Sequence, residues 1–398
     1  MMSKIRSKWM PWILLFSLKI TSLNSLDFKS ILPDNPDEYD NLQPPKENDS
    51  SPTIVEFHIT VLSIDSIDEG SMTYVADIFM SQSWKDHRLH LPENMTAKYR
   101  LLPIHWLKDI WRPDAFFKNA KRVIFQDMTI PNHYIWLYRD KKILYMVKLT
   151  LELSCAMKFE SYPHDTQMCS LKIESLSYTT DDLVFKWEDQ TPLVVDDDIE
   201  LPQHILTNTR LGDCTKSYST GNFTCIEVTF TLKRRLGYYL FHTYIPTCLI
   251  VIMSWISFWI KVDAVPARVT LCVTSLLTLS TQHAQSQKSL PPVSYIKAID
   301  IFMSSCTVFV FLSLMEYAAV NIIVTSGESK VAKANRKRSS LGDEAAQVPN
   351  GLMGAKLIPI TSDGQKAALR VDKLSRCVFP FVFVALNIWY WCNFVYMS

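Results

Sequence analysis

The chain reads CAMKFESYPHDTQMC from Cys155 to Cys169, and this stretch decides the fold. Tyr162-Pro-His-Asp lies near its middle. On its N-terminal side, Ile54–Leu62 and Ile143–Leu153 alternate in part between apolar and polar residues, which is typical of half-buried strands. Turn-forming residues such as Asp68-Glu-Gly punctuate such stretches. The sequence therefore predicts an all-β sandwich over residues 53–236.

The N-terminus has the pattern of a secretory signal peptide. A basic start, MMSKIRSK, precedes the apolar stretch Trp9–Leu18, which is too short to span a bilayer. We predict a signal peptide over 1–25 and a flexible, Pro- and Asp-rich leader over 26–52; a short membrane anchor is the alternative. Three N-glycosylation sequons agree with an extracellular location, at Asn48, Asn94 and Asn222.

The cysteines divide into two sets. Of nine cysteines, four precede the apolar half of the chain: Cys155, Cys169, Cys214 and Cys225. Three pairings of these four are possible, and joining sequence neighbours is the most economical. The remaining cysteines lie in or beside apolar spans, so we expect free thiols packed among helices.

Four hydrophobic spans fill the second half of the chain. They are Tyr238–Ile260, Val265–His283, Ile299–Val324 and Cys377–Tyr396. We predict three transmembrane helices over 237–324, a flexible cytoplasmic loop over 325–375, and a fourth helix with the C-terminus over 376–398. The basic run from Lys330 to Arg338 agrees with a cytoplasmic loop, so both termini are expected outside the cell.

The second span carries many hydroxyl side chains. On a helix, one face would present Ala267, Thr270, Thr274, Leu277 and Thr281. A hydroxyl stripe with one leucine suits a water-filled pore better than a lipid contact. A polar seam between packed helices is the alternative.

Several motifs in the same order resemble the pentameric Cys-loop ligand-gated ion channels. The loop quoted above, WRPDAFFKN from Trp111, PARVT from Pro266 and SLPPVSYIKAID from Ser289 carry the resemblance. It is greatest to the invertebrate histamine-gated chloride channel subunits. The resemblance implies an extracellular β-sandwich on a four-helix transmembrane bundle, five subunits around a pore, ligand between adjacent ectodomains, and the disulfides Cys155–Cys169 and Cys214–Cys225.

The resemblance also implies chloride selectivity. Pro266 and Ala267 match the anion-type constriction, and Leu277 matches the central leucine gate. Five copies of Arg268 would ring the inner pore mouth with positive charge. The alternative is that Arg268 extends its guanidinium to the membrane surface and anchors the helix there. The sequence has no acidic residue from Val265 to Leu290.

The predicted agonist has an ammonium group and no carboxylate. Receptors for carboxylate agonists resemble one another in an arginine two residues after the aromatic at Phe79, where this chain has Ser81. Lys148, on the strand before the Cys155–Cys169 loop, is a nearby cation that could instead pair with an agonist carboxylate. Glu174 could hold an ammonium, with an aromatic wall for cation–π contact and hydroxyls for a second polar end; this set is Tyr178, Tyr218, Phe223, Thr220 and Ser175. Histamine fits this set, although Leu176 replaces an aromatic of relatives.

The resemblance assigns gating to an interface between the domains. Asp165 in the Cys-loop and Arg234 before the first span resemble the family's ion pair, and Lys288 lies in the linker after the second span. We expect agonist binding to move these contacts and tilt the second helix.

Other classes of protein fit the sequence less well. Zinc-ligand spacings, nucleophile elbows and phosphate loops do not occur, so we expect neither an enzyme nor a bound cofactor. The formal charge of +1 indicates no nucleic-acid partner. A secondary transporter would need more spans and internal repeats. The expectation is a postsynaptic plasma-membrane channel subunit with lipid, chloride, an agonist and four further subunits as partners; glutamate, glycine or an accessory role without agonist are the alternatives.

Overall fold

The structure is a computed structural model that describes residues 31–33, 39–47, 51–91, 95, 97–288, 290–342 and 363–396. The predicted signal peptide and the sequons at Asn48 and Asn94 lie outside these residues. The third sequon asparagine, Asn222, is exposed.

The first part of the chain forms strands that alternate between buried and exposed side chains. The strands are β1 Thr53–Asp68, β2 Thr73–Lys85, β3 Tyr99–Leu102, β4 Ala115–Phe117, β5 Ala120–Phe125, β6 Asp127–Met128, β7 Ile130–Pro131, β8 His133–Tyr138, β9 Lys142–Ser154, β10 Thr166–Ser175, β11 Leu183–Trp187, β12 Leu193–Val195, β13 His204–Asp213, β14 Lys216–Tyr218, β15 Gly221–Phe223 and β16 Cys225–Arg234. A 3-10 helix covers Ile104–Lys108.

The strands form two packed sheets and two short ribbons. The larger sheet has the order β11-β1-β2-β9-β8-β3, with β12 beside β1 and β5 beside β9; the smaller has the order β13-β16-β10-β4. The ribbons are β14-β15 and β6-β7. Tyr74 and Phe230 meet across the core with ring centroids 6.3 Å apart. The predicted β-sandwich is therefore confirmed, and its apolar core is the main source of its stability.

Both expected disulfides are present. Cys155 and Cys169 join the end of β9 to β10, and Cys214 and Cys225 close the ribbon β14-β15 against β16. The pairing of sequence neighbours is thus correct.

The prediction of a flexible leader is wrong for its described residues 39–47, because Tyr39 is anchored in the sandwich. Its ring is buried and stacks under the Arg88 guanidinium at 4.3 Å. Its hydroxyl donates to Asp86 Oδ2 at 3.0 Å and accepts the Trp111 backbone N–H at 3.0 Å. Burial and the Asp86 carboxylate raise the pKa of Tyr39, so the hydroxyl keeps its proton and can donate.

We expect Tyr39→Phe to lower the free energy of unfolding by about 1–3 kcal/mol, because the change leaves the buried Trp111 N–H without its acceptor. Thermal inactivation of the detergent-solubilised channel measures the loss. Tyr99→Phe is the matched control, since Tyr99 is 43% exposed. Equal midpoints for the two variants would contradict an anchoring role for Tyr39.

Four helical segments follow the sandwich. We name them α1 Gly237–Trp259, which includes a π-helical turn at Leu240–Tyr244 and ends in a 3-10 turn, α2 Val265–Ser286, α3 Ala298–Gly342 and α4 Asp363–Tyr396. Three stretches of the described residues are long and apolar enough to cross a membrane: Gly237–Trp259, Ala298–Gly327 and Gly364–Phe394. The second predicted span, the hydroxyl-rich α2, is not among these three stretches.

Both described ends of the predicted flexible cytoplasmic loop are helical, and the cytoplasmic location itself stays a prediction. Helix α3 continues from the predicted end at 324 to Gly342, and α4 begins at Asp363 instead of near 376. Residues 325–342 contain five Lys and Arg side chains, which favour helix, and no proline, so the backbone continues the helix after the apolar run ends. Hydrophobicity alone located the spans but not the helix ends.

Candidate functional site

One group of predicted ligand residues meets at the end of the smaller sheet. Glu174 lies near the end of β10, opposite β4, and its carboxylate is buried. Ribbon β14-β15 brings Tyr218 over it, and the Tyr218 hydroxyl donates to Glu174 Oε1 at 2.9 Å. Phe223 packs edge-on to Tyr218 with ring centroids 5.7 Å apart, and Thr220 is exposed at the ribbon turn.

Lys118 also belongs to this group of contacts, although it is not among the predicted ligand residues. Its ammonium forms an ion pair with Glu174 Oε2, donates to the Tyr218 hydroxyl at 2.7 Å, and lies 5.3 Å from the Tyr218 ring centroid. Burial by itself lowers the pKa of Lys118, but the bonds to Glu174 and Tyr218 raise it overall. The signal was available, since Lys118 belongs to the quoted WRPDAFFKN stretch.

Tyr178 is tied to the rest of the site by its hydroxyl. This hydroxyl accepts Trp111 Nε1–H at 3.3 Å and donates to the Leu42 carbonyl at 2.7 Å. The Trp111 and Tyr178 ring centroids are 6.2 Å apart. Tyr178 is therefore held partly by Leu42, which belongs to the segment that we had assigned to the leader.

Ser175 has a structural role that the sequence analysis did not foresee. Its side chain is buried, with Oγ 2.9 Å from Asp114 Oδ1 and 3.0 Å from the Tyr178 carbonyl. Asp114 also accepts the backbone N–H groups of Leu176 and Ser177. The Ser175 hydroxyl therefore holds the turn in this structure, and its contact with an agonist stays a prediction.

The other predicted ligand residues lie on the larger sheet. Phe79 on β2 pairs with Lys148 on β9, whose ammonium lies 6.0 Å from the Phe79 ring centroid. Ser81 is largely buried and lines a groove of about 390 Å³ with His58, Met146 and neighbouring polar residues. The two groups of predicted ligand residues thus lie on different sheets of the sandwich.

The ion pair predicted between Asp165 and Arg234 is formed, and Arg234 also pairs with a second acid, Glu69. Arg234 has no exposed side-chain surface; its Nε donates to Asp165 Oδ1 at 2.7 Å and its Nη1 to Glu69 Oε1 at 2.6 Å. The guanidinium also lies 4.8 Å from the Tyr162 ring centroid. Although burial by itself lowers the pKa of Arg234, the Asp165 carboxylate raises it, so the charge is retained. Glu69 is a second acid that sequence reasoning missed.

The Cys-loop connects this pair to the helices. The Tyr162 hydroxyl donates to the Tyr239 hydroxyl of α1 at 2.9 Å, and the Tyr162 carbonyl accepts the Ile299 N–H of α3 at 3.0 Å. Lys288 is exposed beside a cavity of about 640 Å³ that Tyr162 also lines. The arrangement joins the sandwich, the Cys-loop and two helices in one contact network.

The predicted stripe of α2 lies on one exposed face. All five predicted members are exposed, and so is the neighbouring Pro266; the five are Ala267, Thr270, Thr274, Leu277 and Thr281. Leu277 is 65% exposed, whereas Cys272, Ser275 and Leu279 on the opposite face are buried against other helices. An exposed hydroxyl face on a membrane helix needs water or another subunit to cover it.

The predicted position of Arg268 at the pore mouth is wrong. Its side chain is fully buried within its own subunit, where Nη2 donates to Asp372 Oδ1 of α4 at 2.8 Å and lies 3.8 Å from Glu316 Oε2 of α3. The guanidinium also packs 5.5 Å from the Tyr317 ring centroid. The sequence placed Arg268 near the pore because it could not show which face of α2 the other helices cover.

A β-sandwich that joins a helical bundle through a buried ion-pair network, with one polar helix face exposed, is the architecture expected of a ligand-gated channel subunit. Residues 29–236 match the family model described as the neurotransmitter-gated ion-channel ligand binding domain, and residues 243–350 match the neurotransmitter-gated ion-channel transmembrane region. The chain therefore belongs to the neurotransmitter-gated ion channels. It is a membrane-embedded channel subunit with an extracellular ligand-binding domain and not an enzyme, and a pentamer is expected for the family.

Proposed function

We propose that this chain is a subunit of a chloride channel that histamine opens. The observation that carries the proposal is the buried carboxylate of Glu174, which accepts a hydrogen bond from the Tyr218 hydroxyl. A carboxylate beside an aromatic face suits a ligand ammonium. On the larger sheet, the neutral Ser81 provides no charged partner for a carboxylate, and its groove can take the polar imidazole of a neighbouring subunit's agonist.

Chloride selectivity is supported by the inner end of α2. The first residues of the helix, Val265, Pro266 and Ala267, are neutral and exposed, and this end of the helix carries the positive pole of the helix dipole. With Arg268 buried, we assign selectivity to a narrow neutral constriction at Ala267. Leu277 on the same face provides the hydrophobic gate.

Two alternatives have specific support. Lys148 lies near Phe79 and could pair with a carboxylate, which favours glutamate or glycine as agonist. The exposed Leu176, where relatives have an aromatic, leaves the aromatic box incomplete and favours an accessory subunit. In either case the proposed location is the postsynaptic plasma membrane, with both termini and a glycan at Asn222 outside the cell.

The test is two-electrode voltage clamp on cells that express only this chain. Histamine, glutamate, GABA and glycine are applied in turn while external chloride is replaced. A histamine current whose reversal potential follows chloride supports the proposal. Current to glutamate or glycine instead overturns the choice of agonist, and silence of a channel present at the surface identifies a subunit that needs a partner.

We expect Glu174→Gln to raise the half-maximal histamine concentration by up to about 30-fold, because a charge-assisted contact of about 2 kcal/mol is lost. Concentration–response curves under voltage clamp measure the shift. Ser217→Ala, on the exposed ribbon of the same site, is the control and should shift the curve little. A Glu174→Gln curve that overlays the parent curve would remove Glu174 from the agonist site.

A further inference from the structure

The Lys118 side chain fills the part of the site that would recognise an ammonium. Its backbone is fixed, since the Lys118 N–H donates to the Lys172 carbonyl at 2.9 Å beside β4. Its ammonium pairs with Glu174, donates to the Tyr218 hydroxyl at 2.7 Å and lies 5.3 Å from the Tyr218 ring centroid. A carboxylate, a phenol oxygen and an aromatic face are also the three groups that an agonist ammonium would use.

We propose that Lys118 is a tethered competitor of the agonist. In the unliganded channel its ammonium occupies the Glu174–Tyr218 subsite, and an agonist with a primary ammonium must displace it. This inference rests on the proposed function in taking the agonist to be a primary amine whose ammonium binds at Glu174. It makes Lys118 a residue that sets agonist sensitivity without contributing a favourable contact to the bound agonist.

The burial of the two partners explains why Lys118 is suited to this role. The Glu174 side chain is only 5% exposed, so an empty subsite would leave a carboxylate unpaired in a poorly solvated position. The Lys118 side chain is 26% exposed, so its ammonium has a path to water. The flexible stem of a lysine allows the charge to leave while the backbone stays in place.

Competition of this kind lowers the apparent agonist affinity, because the agonist can bind only while Lys118 leaves the subsite free. The apparent affinity is the intrinsic affinity multiplied by the fraction of time that the subsite is free. If Lys118 fills the subsite for about nine-tenths of the time, removal of the lysine charge raises apparent agonist affinity about tenfold. The effect should need the carboxylate, because Lys118 has no reason to stay in the subsite without it. In Glu174→Gln channels, the further change Lys118→Gln should therefore have little effect.

The decisive experiment changes the charge at position 118 in one set of channels. Lys118→Cys channels are tested with histamine before and after 2-aminoethyl methanethiosulfonate; the thiolate attacks the reagent's sulfenyl sulfur, a disulfide forms and methanesulfinate leaves with the electron pair. This step restores a primary ammonium. Methyl methanethiosulfonate, which adds a neutral methylthio group, is the matched reagent, and parent channels treated with both reagents control for the native thiols.

We expect Lys118→Cys to lower the half-maximal histamine concentration about tenfold, the aminoethyl reagent to restore the parent value, and the methyl reagent to leave the channels sensitive. A higher half-maximal concentration in Lys118→Cys would overturn the proposal by showing that Lys118 supports agonist binding. Equal sensitivity after the two reagents would also overturn it, because a purely structural role does not depend on the added charge.

A second measurement separates this inference from the proposed function. Thr220→Cys, at the exposed ribbon turn, is labelled at the cell surface with a biotinylated methanethiosulfonate in the presence of histamine or propylamine. If Lys118 is a competitor, protection requires less amine when Lys118→Gln is added, even in channels that histamine does not open. Unchanged protection rejects the inference while leaving the histamine current of the parent channel as an independent result.

Discussion

Arg234→Gln should abolish agonist-evoked current. The change removes a buried guanidinium and leaves the carboxylates of Asp165 and Glu69 without their ion-pair partner. The side chain of Asp165 is only 3% exposed, so water cannot replace the lost partner. Breaking a buried pair from one side costs about 3–5 kcal/mol, which is a large share of the stability of a typical domain. Either the subunit fails to reach the surface or the ectodomain no longer moves the helices.

Surface biotinylation and voltage clamp on the same cells distinguish these two routes. Asp165→Asn keeps the shape of the partner and its bond to Gln167, so we expect surface expression with a raised agonist requirement of about tenfold or more. Lys233→Gln is the matched control, because Lys233 is exposed on the same strand. Normal currents in Arg234→Gln would exclude this network from both folding and gating.

Much of the fold could be predicted because its determinants are local in the sequence. Strand alternation, the two short disulfide loops and the apolar spans each occupy a few neighbouring residues. The exposed face of α2 was also predictable, since residues three and four apart share a helix face whatever surrounds them. Tyr218 and Phe223 lie close together because the ribbon β14-β15 is itself a local structure.

The errors concern contacts between residues that are far apart in the sequence. Arg268 and Asp372 are separated by 104 positions, and no periodicity in α2 indicates that α4 covers this arginine. Lys118 and Glu174 are separated by 56 positions and meet only because β4 pairs with β10. The burial of Tyr39 was not predicted, because the Pro- and Asp-rich composition of residues 26–52 indicated a flexible segment. Composition does not show that a single aromatic side chain anchors such a segment.

The burial of Arg268 changes which experiment tests ion selectivity. A guanidinium enclosed by α2, α3 and α4 acts as a link between helices, and it can influence the pore only by holding α2 in position. We expect Arg268→Gln to reduce surface assembly severely, because Asp372 is 1% exposed and would lose its partner at a cost of about 3–5 kcal/mol. Arg370→Gln, on the exposed face of α4, should assemble normally.

The double variant Arg268→Gln with Asp372→Asn separates packing from selectivity. Removing both charges leaves amides that can bond each other, so assembly should recover in large part. If Arg268 acts only as a link, the reversal potential of the rescued channel follows the same ion as that of the parent. If the arginine instead supplied the charge that selects anions, the rescued channel would conduct with a shifted reversal potential. Chemical cross-linking measures assembly, and ion replacement under voltage clamp measures selectivity. The double variant therefore tests both the buried position of Arg268 and the consequence of that position for the pore.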